Sequence, residues 1–329
     1  MGINIQDFEV FKYGENRYTQ YENNGKQYWL NKHPYLDVVL TDRCNQNCSF
    51  CIADLIHDKL DADLEIMKAK IRYAVQYLNV REVLVLGGEP TVSLNLIPML
   101  EFLSTLNLDK VVMTTNGLKL AKEKDFRMAV FGAGLTNLNI SFMNIVPLLQ
   151  KQVCKAKNPL SIEGIEKIYK DAKRFGIKVR INNNIFKDNN DSVGTMEYFY
   201  EQVRPFCDSV KFSPLFSVDS FSVIDVKTEW VRENRLDDTY VEELFTAFEE
   251  HMSNKYDVAV IENDLQFGFV KNTMIPLRIP ILMNWNFGDY TGMMKRVKEQ
   301  HQINNLKLLP NNELSLSWNR ELTEYFIKT

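Results

Sequence analysis

The chain has 329 residues, enough to bury a full core in one large α/β domain or in a domain with an appendage. An apolar share of 45% and a charged share of 25% are those of an ordinary globular protein, and no apolar run approaches the length of a membrane span. The formal net charge of −4 argues against a bulk nucleic-acid or anionic-membrane binder, because counterion release needs clustered Lys and Arg. Met1-Gly2-Ile3-Asn4 shows no basic region followed by an apolar core, so no signal peptide is expected.

Residues 1–34 are rich in Tyr, Asn and Gly. Asn24-Gly25, set between Tyr18-Thr19-Gln20-Tyr21 and Gln27-Tyr28-Trp29-Leu30, predicts an appended β-hairpin. From residue 35 short β-like runs alternate with amphipathic helical stretches. Strands are predicted at 35–40, 82–86, 110–114, 138–142, 178–182 and 209–213, and helices at about 61–78, 93–106, 118–130, 161–175 and 191–204. The helix at 61–78 places Leu64, Met67, Ile71, Ala74, Val75 and Leu78 on one stripe. Six strands with helices between them predict a parallel sheet with right-handed crossovers. Six βα units are too few for a closed eightfold barrel, so residues 35–215 are expected to form an open, partial (β/α)6 TIM-like barrel. Residues 216–329 are expected to be a mixed C-terminal extension that covers the barrel and contributes to substrate binding. The pattern there gives an irregular loop over 215–236, a helix at 238–254, a strand at Val258-Ala259-Val260-Ile261, a long apolar segment at 267–287 and a helix near 289–300. A last hairpin joins Leu306-Lys307-Leu308-Leu309 to Leu314-Ser315-Leu316-Ser317-Trp318. Core packing is the default reading of Trp285-Asn286-Phe287 and Tyr290, with a substrate pocket as the other.

Three of the five cysteines lie in Cys44-Asn45-Gln46-Asn47-Cys48-Ser49-Phe50-Cys51, directly after the first barrel strand. Adjacent thiols on a tight loop do not make a disulfide framework, and a reducing, cytoplasmic compartment follows from that usage. Three thiolates fall one ligand short of closing a metal site. A structural zinc would need His57 or a remote side chain, because no second C-x2-C exists. An iron–sulfur cube held by three thiolates leaves one iron open for a substrate or cofactor. Cys154 and Cys207 are isolated; we read them as buried and inert rather than as hydrogen-atom donors.

The other polar clusters also fall at strand ends. Gly87-Gly88-Glu89-Pro90 follows the second strand, Thr115-Asn116-Gly117 the third, Ser141 lies near the end of the fourth, and Asn182-Asn183-Asn184 ends the fifth. In a parallel sheet all of these meet at one rim. Gly87 and Gly88 lack a Cβ, which would let a ligand approach the backbone and use its N–H and C=O groups, and Glu89 would offer a carboxylate to an ammonium. The plainer alternative is a tight βα turn with a capping acid. Arg180 and Asn182 share the strand face that should look into the barrel, with Asn182 nearer the rim and Arg180 deeper, in a buried ion pair.

Taken together these residues resemble the radical S-adenosylmethionine (SAM) superfamily over roughly residues 35–215. The C-x3-C-x2-C loop with Phe50 before its last cysteine is similar to that family's signature, and Gly87-Gly88-Glu89-Pro90 looks like its motif for the methionyl amine. The resemblance implies a [4Fe–4S] cluster on Cys44, Cys48 and Cys51, with the open iron taking the amine and carboxylate of SAM. It implies an enzyme that cleaves SAM reductively to a 5′-deoxyadenosyl radical, which abstracts hydrogen from a small-molecule, nucleotide or peptide substrate. An electron donor such as flavodoxin or ferredoxin is implied with it. SAM contacts would come from Phe50, Gly87, Gly88, Glu89, Thr115, Ser141, Lys157 and Asn182; no catalytic side chain is assigned. Met143 stands where the family commonly has an acidic residue. Thr41-Asp42-Arg43-Cys44-Asn45 resembles the molybdopterin-pathway GTP cyclase and peptide-modifying relatives. Yet no cysteine follows Cys207 to hold an auxiliary cluster, and Asp37 replaces the cyclase's arginine, so GTP cyclisation is not expected. The alternatives are a glycyl-radical activating enzyme for a partner protein and a non-catalytic iron–sulfur or zinc-binding protein.

Overall fold

The computed structural model describes residues 18–23, 26–51, 61–215, 226–256, 259–262, 272–275, 281–283 and 302–315. Strands β1 (Tyr18–Asn23) and β2 (Lys26–Val39) pair antiparallel with Asn23 opposite Lys26, which is the hairpin the Asn-Gly dipeptide predicts. One difference is instructive. β2 runs without interruption from the hairpin into the barrel, although Pro34 sits inside it. Pro34 has no N–H to give, and it falls where the β1 ladder has ended, the next ladder has not begun, and the register with a third strand shifts.

The barrel then follows as β3 (Glu82–Leu86), β4 (Lys110–Thr115), β5 (Asn137–Ser141), β6 (Lys178–Ile185) and β7 (Ser209–Pro214). With β2 these make the six predicted parallel strands, in sequence order. Their alternation decides the two faces. Leu36, Val38, Val83, Val85, Val111, Met113, Leu138, Ile140, Val179, Ile181, Val210 and Phe212 are buried in one cluster with helix residues such as Met67, Ile71, Leu100, Ile165 and Phe199. The intervening residues, Asp37, Glu82, Lys110, Thr114, Asn139, Arg180, Asn182 and Lys211, therefore face the barrel interior.

The covering helices are α1 (Leu64–Tyr77), α2 (Leu96–Ser104), α3 (Leu118–Lys122), α4 (Lys124–Gly132), α5 (Pro147–Cys154), α6 (Ile162–Arg174) and α7 (Val193–Val203). The single helix expected at 118–130 is two, which meet at Glu123. Helix α5 was not legible; it opens on Pro147, a residue suited to a first helical position. The loop expected over 215–236 is also corrected, because α8 (Val226–Asn234) is helical. Its run Val-Lys-Thr-Glu-Trp-Val-Arg-Glu-Asn carries too few apolar residues to show a stripe. Helix α9 (Asp238–Tyr256) matches its expected span and buries Val241, Leu244, Phe245, Phe248 and Met252.

The C-terminal part supplies strands to both sides of the barrel. β8 (Ala259–Glu262), β9 (Asn272–Ile275) and β10 (Ile281–Met283) continue the sheet past β7, with β10 parallel to it. β11 (Gln302–Leu308) lies parallel to β2 on the other side, and β12 (Leu314–Ser315) closes the predicted last hairpin. The sheet order is β12-β11-β2-β3-β4-β5-β6-β7-β10-β9-β8, so among the described residues its two ends do not pair and the barrel is open. The helix expected near 289–300, Trp285-Asn286-Phe287 and Tyr290, and His57 lie outside the described residues. Among the described residues no helix is long and apolar enough to cross a membrane.

Candidate active site at the carboxyl ends of the strands

The cysteine loop leaves β2 through Leu40, whose N–H donates to the Leu86 carbonyl at 2.9 Å. Two backbone bonds then fasten it to the glycine turn after β3: Gly88 N–H to Thr41 O at 2.7 Å, and Glu89 N–H to Arg43 O at 2.8 Å. This contact explains the glycines. A Cβ on Gly87 would stand 2.3 Å from the Thr41 oxygen, and one on Gly88 would stand 2.4 Å from the Arg43 oxygen. The close approach is therefore made by the chain itself, and the N–H groups of Gly88 and Glu89 are spent on it. For Gly88 this corrects the expectation that its N–H serves a ligand. Asp61 braces the loop from the far side, accepting from Thr41 Oγ1 at 2.6 Å and pairing with Arg43 at 2.5 Å.

Glu89 is almost fully buried. Its Oε1 accepts from Thr91 N at 3.1 Å, Thr91 Oγ1 at 2.6 Å and Thr115 Oγ1 at 2.6 Å, and its Oε2 accepts from Asn116 N at 2.7 Å. Burial pushes the Glu89 carboxyl up, while these four donors hold it down. Asn116 Nδ2 then donates to Asn45 Oδ1 at 2.7 Å, which returns the network to the cysteine loop. Glu89 thus knots the ends of β2, β3 and β4 into one rim. Sequence reading named Glu89 and Thr115 but missed Thr91 and the Asn116–Asn45 link, for which the polarity of Thr115-Asn116-Gly117 was the only signal.

All three loop cysteines are free thiols. Cys51 N–H donates to Cys48 O at 3.2 Å, and Ser49 N–H to Val153 O at 2.9 Å, which ties the loop to α5. Cys44 is exposed on one side, yet the protein packed around it pushes its thiol up to about 12, with Glu89, Cys48 and Cys51 close enough to add to the rise. Contact with Cys154, then burial, pushes the Cys48 thiol up as well. Three free thiols on one loop are a donor set that a metal centre would hold as thiolates. Among the described residues no three His, Cys, Asp or Glu side chains converge on a point that one metal ion could fill. An iron–sulfur cube takes its cysteine thiolates on separate irons, and the three free thiols of this loop fit that donor set.

Phe50 lies against Phe186, with ring centroids 6.4 Å apart, and packs against the cluster of Met143, Cys154 and Ala156. Cys154 is buried as expected, but its place against Cys48 puts it directly behind the cysteine loop. Cys207 is buried, and its thiol donates to Val203 O at 3.4 Å. Ser141 and Asn182 pair across β5 and β6 at the rim. Arg180 Nε donates to Asn182 Oδ1 at 3.0 Å, and among the described residues no carboxylate pairs with Arg180; the expected ion pair is replaced by a neutral amide. On the opposite face of β6, Asn183 is fully buried and donates to the Phe142 and Met143 carbonyls at 3.0 and 2.8 Å. Lys157 is exposed between α5 and α6.

A family model described as the radical SAM superfamily matches residues 38–200, which span β2 to α7. The GTP 3′,8-cyclase of Tolumonas auensis is 31% identical over 176 residues, which cover 52% of this chain and 50% of that protein. The corresponding protein of Petrotoga mobilis is 32% identical over 166 residues, covering 48% of this chain and 49% of that one. The chain thus spans about half the length of the curated relatives it matches. Among solved structures, Streptococcus suis SuiB bound to S-adenosylmethionine superposes with a TM-score of 0.59 at 15% identity, covering 87% of this chain and 60% of that one. Native anSMEcpe with bound AdoMet gives 0.54 at 11% identity, covering 86% and 74%. These likenesses establish the open parallel barrel. With its three-cysteine loop knotted to a Gly-Gly-Glu-Pro turn, the chain is a member of the radical SAM superfamily through residues 38–200.

Proposed function

We propose that the chain is a radical SAM enzyme acting on a small-molecule, nucleotide or peptide substrate. Cys44, Cys48 and Cys51 would hold a [4Fe–4S] cluster, and the Gly87–Pro90 turn would receive the methionyl end of SAM. Held there, the cluster and SAM would supply one-electron cleavage of the C5′–S bond and, through it, hydrogen abstraction from the substrate. The observation that carries this reading is the Glu89 knot, which fixes the cysteine loop and the glycine turn to each other before any ligand arrives. With the N–H groups of Gly88 and Glu89 engaged, the turn would offer the carbonyls of Gly87 and Gly88 to an ammonium, with the Glu89 carboxyl close to Cys44. Thr115 orients Glu89. Phe50 shields the loop from water, Ser141 and Asn182 face the nucleoside side of the rim, and Lys157 is carried over from the resemblance for the SAM carboxylate.

Residues 35–215 form the core in this reading, 1–34 an appendage, and 216–329 an extension that shapes the substrate pocket. The barrel is shared with SuiB, which has been solved with its precursor peptide SuiA at a TM-score of 0.60; that supports keeping peptides among the substrates. A flavodoxin- or ferredoxin-like donor would supply the electron, and free thiols as ligands suit the cytoplasm. Anaerobic reconstitution with iron and sulfide tests the metal assignment. Wild type should bind about four irons per chain and turn brown, and Cys48→Ala should lose the chromophore. A colourless wild type that retains zinc would instead favour a structural site.

A further inference from the structure

Among the described residues the barrel interior carries buried or half-buried charges in three places, and two of them are internally neutral. Lys307 Nζ sits 2.5 Å from Asp37 Oδ2 with both side chains buried, and Lys110 pairs with Glu82 at 2.7 Å. The third place is different. Arg180 on β6 and Lys211 on β7 face the same interior, and among the described residues neither has a carboxylate partner. Both are partly buried. Burial, then the neighbouring Arg180, pushes the Lys211 ammonium down to about 7, and burial alone brings Arg180 down to about 10.

The register gives their height. Asp37 pairs with Leu84, Leu84 with Val112, Val112 with Asn137 and Asn137 with Lys178. Arg180 is one interior position above that layer, and Lys211, opposite Asn182, is two, level with Ser141. The two cations therefore lie toward the reactive rim, while the neutral pair at Asp37 lies below it. Two like charges held together out of water are costly, and an anion between them removes the cost. The planar guanidinium suits an oxyanion with two oxygens, and the lysine adds a point charge.

We propose that Arg180 and Lys211 form an anion-binding subsite for a carboxylate or phosphate carried by the substrate. The assignment of the anion to a substrate rests on the radical SAM reading; the existence of the subsite does not. β7 is four strands from β3, roughly 19 Å along the ladder, so the glycine turn and the subsite would hold opposite ends of the reacting assembly.

Thermal unfolding of the reconstituted protein tests this with inorganic phosphate, succinate and chloride at equal ionic strength. Phosphate or succinate should raise the wild-type Tm by a few degrees over chloride. Which of the two acts tells phosphoryl from carboxylate recognition, and either result supports the subsite. In Lys211→Met and in Arg180→Met the apparent anion affinity should fall at least tenfold, and in chloride Lys211→Met should melt above wild type. If neither anion acts on wild type and Lys211→Met melts below it, the cations are satisfied by the chain's own carboxylates and the proposal is overturned. Saturating SAM should leave the anion response intact; competition between SAM and phosphate or succinate would assign the pair to SAM and overturn it as well. A wild type that binds the anion but never cleaves SAM would sink the function proposed above and leave the subsite standing.

Discussion

The two sides of the barrel interior treat buried charge in opposite ways. Where β11 lies beside β2, Lys307 is matched by Asp37, and Asn305 Nδ2 adds a hydrogen bond to the same carboxylate oxygen at 3.3 Å. Where β6 lies beside β7, Arg180 meets the neutral Asn182, and neither Arg180 nor Lys211 has a carboxylate partner among the described residues. The rim above the first side is equally self-contained, since Glu89 has four donors from its own chain. A side whose buried charges are paired is scaffold, with its geometry set before a ligand binds. A side that leaves cations unmatched is where a ligand completes the structure, at some expense of stability in the free protein.

That comparison can be broken most severely on its scaffold side. Asp37→Ala removes the carboxylate paired with the buried Lys307 ammonium and should cost about 3–5 kcal/mol in urea unfolding; a loss below about 1 kcal/mol would mean that the pair contributes little. Next comes Gly88→Ala, whose Cβ would meet the backbone of Arg43 and Asp42 at 2.4 to 2.6 Å. It should cost about 1–3 kcal/mol and lower iron loading by shifting the cysteine loop; normal loading and stability would show that the turn has room to move. On the ligand side the sign reverses. Lys211→Met should gain on the order of 1 kcal/mol in the absence of anions, and a loss would contradict the contrast drawn here.

The smallest effect is on pH. The folded Lys211 pKa of about 7 lies below its ordinary 10.5. Between these values the unfolded chain binds a proton that the folded chain does not, so stability rises with pH across that window. The penalty is complete below about 7 and fades toward 10.5. Arg180 is the charged group against Lys211 among the described residues, and it keeps its proton throughout most of the window. The stability gap between Lys211→Met and wild type should therefore shrink from pH 7 to pH 10; a gap that stays constant would show that Lys211 is not destabilised by its surroundings.

Much of the barrel was legible because its signals are local. Val83, Val85, Val111 and Met113 alternate with less buried neighbours, and period 2 on a half-buried surface announces a strand whatever lies far away. The three cysteines and the glycine turn were legible by spacing, and their meeting followed from parallel strands. What sequence could not give was the identity of a distant neighbour. The missing Cβ of Gly87 and Gly88 announced a close approach, but not that Thr41 and Arg43 make it. Lys307 read as one residue of a hairpin, yet its partner is Asp37, 270 residues away. Lys211 was passed over although Ser209-Val210-Lys211-Phe212 alternates plainly enough to turn it inward. Its interest lies in the lack of a matching carboxylate, and that is a property of the assembled barrel.

The central claim is that the knotted rim positions SAM for reductive cleavage. Anaerobically reconstituted protein incubated with SAM and dithionite should release 5′-deoxyadenosine and methionine, and Cys48→Ala should release neither. An intact cluster in the wild type with no 5′-deoxyadenosine above that variant's background would contradict the account.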